Sequence, residues 1–355
     1  MDVSLPAPPE WVVAAPDRSD GTTVWATALA DGRVRAHRLD GREVTQIEPF
    51  PSYGEGPPLL VIDAGHARIL SVGALHTHST PIPGGSATVR TDGGLAIPGG
   101  ELDPDPIGDA RVVTDGELVY LLGQATTYRH GALGDEVEGG AVAVVDPRTR
   151  DIRMIEPPYG VIEGLWPILT TLGGAPSMLV TASDAEQGAS LALLRDDGSD
   201  GGRVVATSDP VGEPYGWRHQ IAVAPFGPGG EREVASVRKP HVGATAQFHR
   251  LDGDDLVPVA SLEGYPSHEF GSRNLDRAAA GDFDGDGQPE LVVPTTETGV
   301  LAALRRTDGG VEEAWRLRIG GELTSNVTAA RGRFGVEFAA GTPAGLRLWP
   351  AAQQT

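Results

Sequence analysis

Residues 281–293 (GDFDGDGQPELVV) have the composition and spacing of a calcium-binding loop. Three carboxylates alternate with small or turn-forming residues: Asp282, Asp284 and Asp286. Gly287 occupies the sixth place of the loop, where a sharp turn lets the carboxylates fold inward on a hard cation. Gln288 would offer its backbone carbonyl at the seventh place, and Glu290 a direct or water-mediated oxygen at the ninth. These residues predict a Ca²⁺ site.

The loop differs from a helix–loop–helix calcium site at its closing position and in its flanks. Val293 stands at the twelfth place, where an EF-hand has a bidentate glutamate. Residues 278–280 lead in, and a short apolar run bounded by Pro294 leads out, which is typical of strands. We therefore expect a calcium loop between two strands. The alternative is a hairpin rich in Asp and Gly that binds no metal.

The stretch 281–293 resembles the FG-GAP/VCBS repeat, the calcium-loop strand pair of integrin-type β-propellers. Two weaker copies extend the resemblance. In residues 222–235 (AVAPFGPGGEREVA) the three aspartates are replaced by Pro225, Gly227 and Gly229, so this copy keeps the hairpin without the metal ligands. Residues 168–180 (ILTTLGGAPSMLV) form a third, shorter copy. The copies recur about every 50–57 residues, which is typical of propeller blades.

Composition agrees with an all-β fold. The chain has 355 residues with 49 glycines and 29 prolines, and no segment keeps a helical apolar period for three turns. Closed all-β architectures reach this length as one domain. We predict a single β-propeller over residues 1–355, with seven four-stranded blades that begin near residues 10, 57, 107, 160, 215, 271 and 323. The last blade is short, so the N-terminal strands should complete its sheet.

The net charge of −21 argues against nucleic acid and against an anionic membrane surface as partners, because both attract positive charge. No cysteine is present, so disulfides and thiolate chemistry are excluded. The absence of an 18-residue apolar stretch argues against membrane insertion. The resemblance implies a secreted or periplasmic protein whose signal peptide has been removed, while the sequence also allows a cytoplasmic protein. We expect a monomer.

Strand order within a blade places most of the histidines on one face. The calcium loop joins strands one and two, so it belongs to the opposite rim. The loops between strands two and three, and the links between blades, carry six of the nine histidines: His76, His78, His130, His219, His241 and His268. Four arginines accompany them: Arg129, Arg218, Arg238 and Arg273. We call this side the histidine face. The other histidines, His37, His66 and His249, fall on strands or on the other rim.

The residue types on the histidine face predict a ligand site, since propeller ligands commonly bind where inner loops converge. The catalytic candidates are His130, His219, His268, Arg218 and Arg273. The candidates for ligand binding are Arg129, Arg238, Tyr128, Trp217, Asn274, Asn326 and Glu163. Neutral imidazoles of His130, His219, His241 and His268 could hold a transition metal, with Glu163 or Gln220 as an oxygen ligand. Without a metal, the same histidines suit acid–base chemistry.

Two functions are consistent with these residues. The first is a metal-dependent or histidine-based lyase, hydrolase or isomerase that acts on an anionic, oxygen-rich small molecule or sugar acid. The second is a non-catalytic FG-GAP/VCBS module that binds a glycan or a protein through the same face. A scaffold without a ligand would explain the fold but not the histidines. The chain contains no serine nucleophile elbow, phosphate-binding glycine loop or Rossmann fingerprint.

Overall fold

The computed structural model describes residues 1–47, 57–63, 66–70, 77–199, 201–272 and 274–351. Over these ranges the chain is all-β, and its single helical element is a 3-10 turn at Leu172–Gly174. The strands form a series of mainly antiparallel sheets, in which most neighbouring strands are also consecutive along the chain. Their first strands lie side by side around a common centre. This arrangement is a β-propeller, which confirms the predicted fold class.

The N-terminal part contains one complete sheet and a second region with two separate sheets. The first sheet runs β2 (Pro9–Pro16), β3 (Thr23–Leu29), β4 (Val34–Asp40) and β5 (Glu43–Gln46). A hairpin follows, made of β6 (Leu59–Asp63) and β7 (His66–Leu70). The next sheet runs β8 (Thr80–Ile82), β9 (Gly85–Val89), β10 (Leu95–Ile97) and β11 (Gly100–Leu102). The number of blades and their boundaries therefore stay a prediction.

Three groups of strands in the middle of the chain are joined edge to edge by short bridges. The first group is β12 (Val113–Thr114), β13 (Val119–Thr127), β14 (Val137–Val145) and β15 (Ile152–Ile155). The second is β16 (Val161–Ile162), β17 (Ile168–Thr170), β18 (Ser177–Asp184), β19 (Gly188–Arg195) and β20 (Arg203–Thr207). The third is β21 (Arg218–Ala224), β22 (Glu233–Arg238), β23 (Thr245–Asp252) and β24 (Asp255–Glu263).

The C-terminal part forms two four-stranded sheets. One runs β25 (Ala279–Gly281), β26 (Glu290–Pro294), β27 (Val300–Thr307) and β28 (Gly310–Arg318). The other runs β29 (Val327–Gly332), β30 (Gly335–Thr342), β31 (Gly345–Trp349) and the N-terminal strand β1 (Asp2–Ser4). The prediction that N-terminal residues complete the last sheet is thus confirmed. The amide of Asn326 also accepts from and donates to the backbone of Val12, at 2.8 Å in each case, which joins the last sheet to the first.

The hydrophobic core lies between neighbouring sheets. Phe226 and Phe248 of one sheet pack with Leu291, Val293 and Leu304 of the next, and all five are fully buried. Each such side chain contributes about 1.5–3 kcal/mol by leaving water. This packing fixes the sheets relative to one another, and with them the loops that carry the candidate site.

Candidate functional site

The acidic loop lies between β25 and β26, as predicted, at the rim opposite the histidine face. Within the described residues, one set of three potential ligands brings its oxygens within 4.8 Å of one another: Asp282, Asp284 and Glu290. Backbone N–H groups of Gly285 and Gly287 donate to the two oxygens of Asp282, at 2.8 and 3.1 Å. The donors are hard oxygens, so this set fits Ca²⁺ chemically.

Arg305 of β27 neutralises the same carboxylates in the structure. Its guanidinium lies 2.9 Å from Glu290 Oε1 and 3.2 Å from Asp286 Oδ2, and it also pairs with Asp284. Burial raises the pKa of Glu290, and the hydrogen bond from the Phe283 N–H opposes that shift. Calcium would therefore have to replace the guanidinium charge in this loop.

The side chain of Gln288 faces away from the acidic loop. Its amide donates to the carbonyls of Phe226, at 3.0 Å, and Arg306, at 2.6 Å. The bond to Phe226 attaches the loop to the neighbouring hairpin between β21 and β22, and the bond to Arg306 attaches it to β27 of its own sheet. The predicted ligand at this position was the backbone carbonyl of Gln288, which these side-chain bonds leave available.

A second glutamate–arginine pair occupies the equivalent place in the sheet β21–β24. Arg250 of β23 donates to Glu233 at 2.6 Å, and Glu233, like Glu290, begins the second strand of its sheet. The hairpin before Glu233 is the degenerate copy that lacks aspartates. The pair therefore recurs where no metal ligands exist, which identifies it as a feature of the sheet rather than of a metal site.

On the histidine face, three imidazoles surround the buried ring of Trp217. His219 lies beside Trp217 at the start of β21, His241 lies in the loop between β22 and β23, and His268 lies in the link between β24 and β25. The ring centroid of Trp217 is 4.7 Å from that of His268, 5.8 Å from that of His241 and 5.9 Å from that of His219. We call these four residues the imidazole cluster.

Ser267 connects two members of the imidazole cluster. Its Oγ lies 2.9 Å from Nδ1 of His219 and 3.0 Å from Nδ1 of His268, and all three side chains are buried. The Nε2 atoms of His268 and His241 are buried without a hydrogen-bond partner among the described residues. An unpaired buried polar atom is costly, so these two nitrogens mark a place where a ligand would add a bond.

The imidazoles of the cluster are neutral at physiological pH. Burial lowers the pKa of His219 to about 3, and nearby Arg111 and His241 add to that shift. Burial also lowers the pKa of His268 and of His241. A neutral imidazole has one N–H donor and one acceptor nitrogen, so it can serve as a hydrogen-bond partner or as a metal ligand.

A cavity of about 540 Å³ opens beside the imidazole cluster and is lined by both His241 and His268. Its walls come from loops and links of the histidine face, including residues 294–300 and 319–323. Arg277 lines the cavity and pairs with Glu269 on the surface. Phe270 forms its lip, with 72% of its surface exposed and its ring edge-on to His241 at 5.2 Å.

His130 connects the imidazole cluster to two buried carboxylates. Its Nδ1 bonds Glu163, whose second oxygen is buried and has no hydrogen-bond partner among the described residues. Glu138 lies beside Glu163 and accepts the Gly164 N–H at 3.3 Å. Burial, reinforced by the charge of Glu163, raises the pKa of Glu138 to about 9. Glu138 is therefore a neutral carboxylic acid at pH 7.

Aromatic rings pack against His130 and extend these contacts across the histidine face. His130 stacks on Tyr215 with centroids 5.5 Å apart, and its ring lies 6.4 Å from that of Trp217. Tyr128 packs against both His130 and Tyr215, and its hydroxyl donates to the carbonyl of Asp184 at 2.9 Å. His130, Tyr128, Trp217 and Glu163 therefore belong to one contiguous site with the imidazole cluster.

A partly buried ion pair joins two distant parts of the chain. Arg111, just before β12, pairs with Asp276, just before β25, and its guanidinium lies 4.1 Å over the ring of Trp166. His78 Nε2 lies 3.8 Å from the same carboxylate of Asp276. This pair links inner strands from distant sheets.

Several predicted site residues lie apart from the imidazole cluster. Arg218 is buried and donates to Ser208 Oγ at 2.5 Å and to the Asp209 carbonyl at 3.0 Å. Asn326 bonds Val12 and Thr328.

The other predicted polar residues bond nearby backbone groups, are exposed to solvent, or lie outside the described residues. Arg238 donates to the Val211 carbonyl at 3.1 Å, and Asn274 accepts the Asp276 N–H at 3.2 Å. Arg129 is exposed to solvent. Arg273 and His76 lie outside the described residues.

The predicted transition-metal site lacks a complete donor set in this geometry. Among the residues that the structure describes, the imidazoles do not bring three ligand atoms within 4.8 Å of one another. The Nδ1 atoms of His219 and His268 face Ser267. The Nε2 atoms of His241 and His268 have no hydrogen-bond partner among the described residues. A catalytic zinc site ordinarily has three protein ligands. The second metal therefore stays a prediction.

Sequence reasoning missed residues whose role depends on three-dimensional neighbours. Ser267 and Arg277 belong to the site because the link between β24 and β25 brings them beside His219 and the cavity. The only signal in the sequence was their closeness to His268 and Asp276 along the same link. Arg111 gave no such signal, because its partner is 165 residues away.

Comparison with known proteins supports the fold and leaves the family open. No protein-family model matches the chain, and no curated protein matches it in sequence. The solved structure of BBS1N, determined in complex with ARL6DN, is 12% identical with a TM-score of 0.52, and the match covers 99% of this chain and 96% of that one.

Two further solved structures match nearly all of this chain at low sequence identity. The extracellular domain of the putative hybrid two-component system BT4673 from B. thetaiotaomicron is 11% identical with a TM-score of 0.50, over 98% of this chain and 39% of that one. The periplasmic gluconolactonase PpgL from Pseudomonas aeruginosa is 16% identical with a TM-score of 0.48, over 97% and 88%. At such low identities, the similarities to BBS1N and to the BT4673 domain show the fold alone. No helix among the described residues is long and apolar enough to span a membrane.

Proposed function

We propose that the histidine face is the active site of a histidine-based enzyme that acts on an oxygen-rich small molecule or sugar acid. The observation that carries this proposal is the pair of buried, unpartnered Nε2 atoms of His241 and His268 beside a cavity of about 540 Å³ that both residues line. A volume of that size accommodates a monosaccharide or a small oligosaccharide unit.

The chemical groups around the cavity suit the binding and polarisation of such a ligand. The neutral imidazoles would accept or donate hydrogen bonds to hydroxyl groups, and Arg277 would pair with an anionic group. Glu138 is a neutral carboxylic acid beside Glu163 and His130. It would serve as a proton donor in the part of the site that lies beyond His130. These roles fit a lyase, hydrolase or isomerase.

A non-catalytic glycan-binding module is the second candidate. Phe270 favours it, because an exposed aromatic ring on the lip of a polar cavity is suited to stacking on the apolar face of a sugar. In this version the imidazoles would hold the ligand without transforming it. We further propose that the chain is a calcium-stabilised member of the FG-GAP/VCBS propellers, exported to a calcium-rich compartment and monomeric, with no nucleic acid or inserted membrane as partner.

The test is ligand-observed NMR with glucuronate, galacturonate and the corresponding neutral sugars, followed over time to detect conversion. We expect binding that is lost in His268→Ala, with conversion of at least one ligand if the protein is an enzyme. Binding without conversion would favour the glycan-binding module. Absence of binding by every probe at millimolar concentration would contradict both. Metal analysis of protein purified without added metal tests the predicted transition metal in parallel.

A further inference from the structure

Ser267 places a single hydroxyl between two imidazoles, and this constrains their protons. Its Oγ lies 2.9 Å from His219 Nδ1 and 3.0 Å from His268 Nδ1. A serine hydroxyl donates one hydrogen bond and accepts others, and a neutral imidazole carries one N–H. If the hydroxyl donates to one Nδ1, the other Nδ1 must carry a proton and donate to the hydroxyl. The two histidines are then opposite tautomers.

We propose that Ser267 is a positioning residue that holds His268 as the Nδ1–H tautomer, with its Nε2 lone pair facing the cavity, and His219 as the opposite tautomer. The chain of donation then runs from His268 Nδ1 to Ser267 Oγ and from Ser267 Oγ to His219 Nδ1. This inference rests on the proposed function only for the identity of the ligand, because the tautomers can be measured on the free protein.

The direction of this chain follows from the partners of His268, because a proton on Nδ1 has Ser267 Oγ as its acceptor, whereas a proton on the buried Nε2 would have no acceptor among the described residues. Burial is the main cause that lowers the pKa of His268, and the charges of His219, His241 and Arg277 add to it in that order. Arg277 also lines the same cavity as His268. A guanidinium attracts a lone pair and repels an N–H that points toward it. The proton of His268 therefore lies on Nδ1, toward Ser267, and Nε2 carries the lone pair.

The resulting site combines a neutral acceptor and a cation. Arg277 is paired with Glu269, whose side chain is 72% exposed, and an ion pair with so exposed a partner contributes little stability. A ligand carboxylate could take the place of Glu269, while a ligand hydroxyl donates to Nε2 of His268. These two contacts define the ligand class as a hydroxy acid, of which a uronic acid is a small, available example.

The tautomers are tested by long-range ¹H–¹⁵N NMR of protein labelled on histidine, with signals assigned from His219→Asn and His268→Asn. We expect a protonated Nδ1 and an unprotonated Nε2 for His268, and the reverse for His219. In Ser267→Ala both should become tautomer mixtures, and Ser267→Thr should keep the native pattern. The control is Ser325→Ala, since Ser325 is equally buried but bonds the Asn326 carbonyl and the Gly341 N–H.

Two NMR results would overturn the positioning role. One is the same tautomer on both histidines in the unmodified protein, which can be seen even if Ser267→Ala fails to fold. The other is an unchanged pattern in folded Ser267→Ala. Neither result depends on a ligand, so the proposed function would survive it.

The ligand class is tested separately with three probes: glucuronate, glucose, and cyclohexanecarboxylate, which has the carboxylate without the hydroxyls. We expect glucuronate to bind most tightly and to lose about twofold in affinity in Ser267→Ala, because an equal mixture of tautomers leaves about half of the protein competent to bind. Glucose or cyclohexanecarboxylate binding as tightly as glucuronate would overturn the hydroxy-acid assignment. Failure of all three probes would overturn the ligand class together with the proposed function, while the tautomer result would stand.

Discussion

Replacement of Glu138 by glutamine should change how the stability of the propeller depends on pH. Glu138 is 4% exposed, and burial together with the charge of Glu163 raises its pKa from 4.5 in the unfolded chain to about 9 in the folded protein. Between these values the folded state holds a proton that the unfolded state has released, so the stability falls as the pH rises. The slope is about 1.4 kcal/mol per pH unit, or about 4 kcal/mol between pH 5 and 8.

The assay is urea unfolding followed by tryptophan fluorescence at pH 5, 6, 7 and 8. The difference in unfolding free energy between the unmodified protein and Glu138→Gln removes the contribution of all other titrating groups. We expect this difference to move steadily in favour of the glutamine variant as the pH rises. Glu136→Gln, two residues away and exposed, is the matched control and should give no slope. A pH-independent difference for Glu138→Gln would refute the assignment of a neutral buried acid.

Three further predictions concern the acidic loop and the inner strands. Arg305→Gln should tighten calcium binding at least tenfold by calorimetry, because it removes a competing cation, while Arg250→Gln in the hairpin without aspartates should leave the affinity unchanged. Asp284→Ala should abolish the rise in melting temperature on adding calcium; a persisting rise would place the ion elsewhere. Asn326→Ala should lower the unfolding free energy by about 2–4 kcal/mol through its lost bonds to Val12, and a loss below 1 kcal/mol would contradict its role between the sheets.

The fold was accessible from the sequence because its signals are local. The hairpin around residues 281–293, and its copies near 168–180 and 222–235, each join two neighbouring antiparallel strands. Turn residues and short apolar runs define such hairpins without reference to the rest of the chain. The number of blades was less accessible, because the region from 57 to 102 forms a hairpin and a separate sheet with irregular spacing.

The candidate site was predicted in part, for a related reason. Assigning loops to faces was enough to predict that His219, His241 and His268 lie on one side, and they lie around Trp217. Loop assignment could not predict which way each side chain points along a strand. Arg218 and His219 are neighbours in β21 and therefore project to opposite sides, so the arginine contacts Ser208 and Asp209 while the histidine joins the cluster.

In the acidic loop, the sequence motif predicted the ligand oxygens but not the charge that competes for them. Its spacing predicted the ligand oxygens, and three of them do converge. The competing guanidinium of Arg305 lies on β27, outside the motif, and reaches the loop only through the sheet. A local pattern therefore describes the donors of a site but not the neighbouring charges that decide its affinity.

We propose that the histidine face binds the ligand and that the acidic loop stabilises the fold. One paired measurement tests it most directly: uronic-acid binding and calcium-dependent melting temperature, both recorded for His268→Ala and for Asp284→Ala. We expect His268→Ala to lose ligand binding and keep the calcium response, and Asp284→Ala to lose the calcium response and keep ligand binding. Selective loss of ligand binding in Asp284→Ala, with binding intact in His268→Ala, would contradict it.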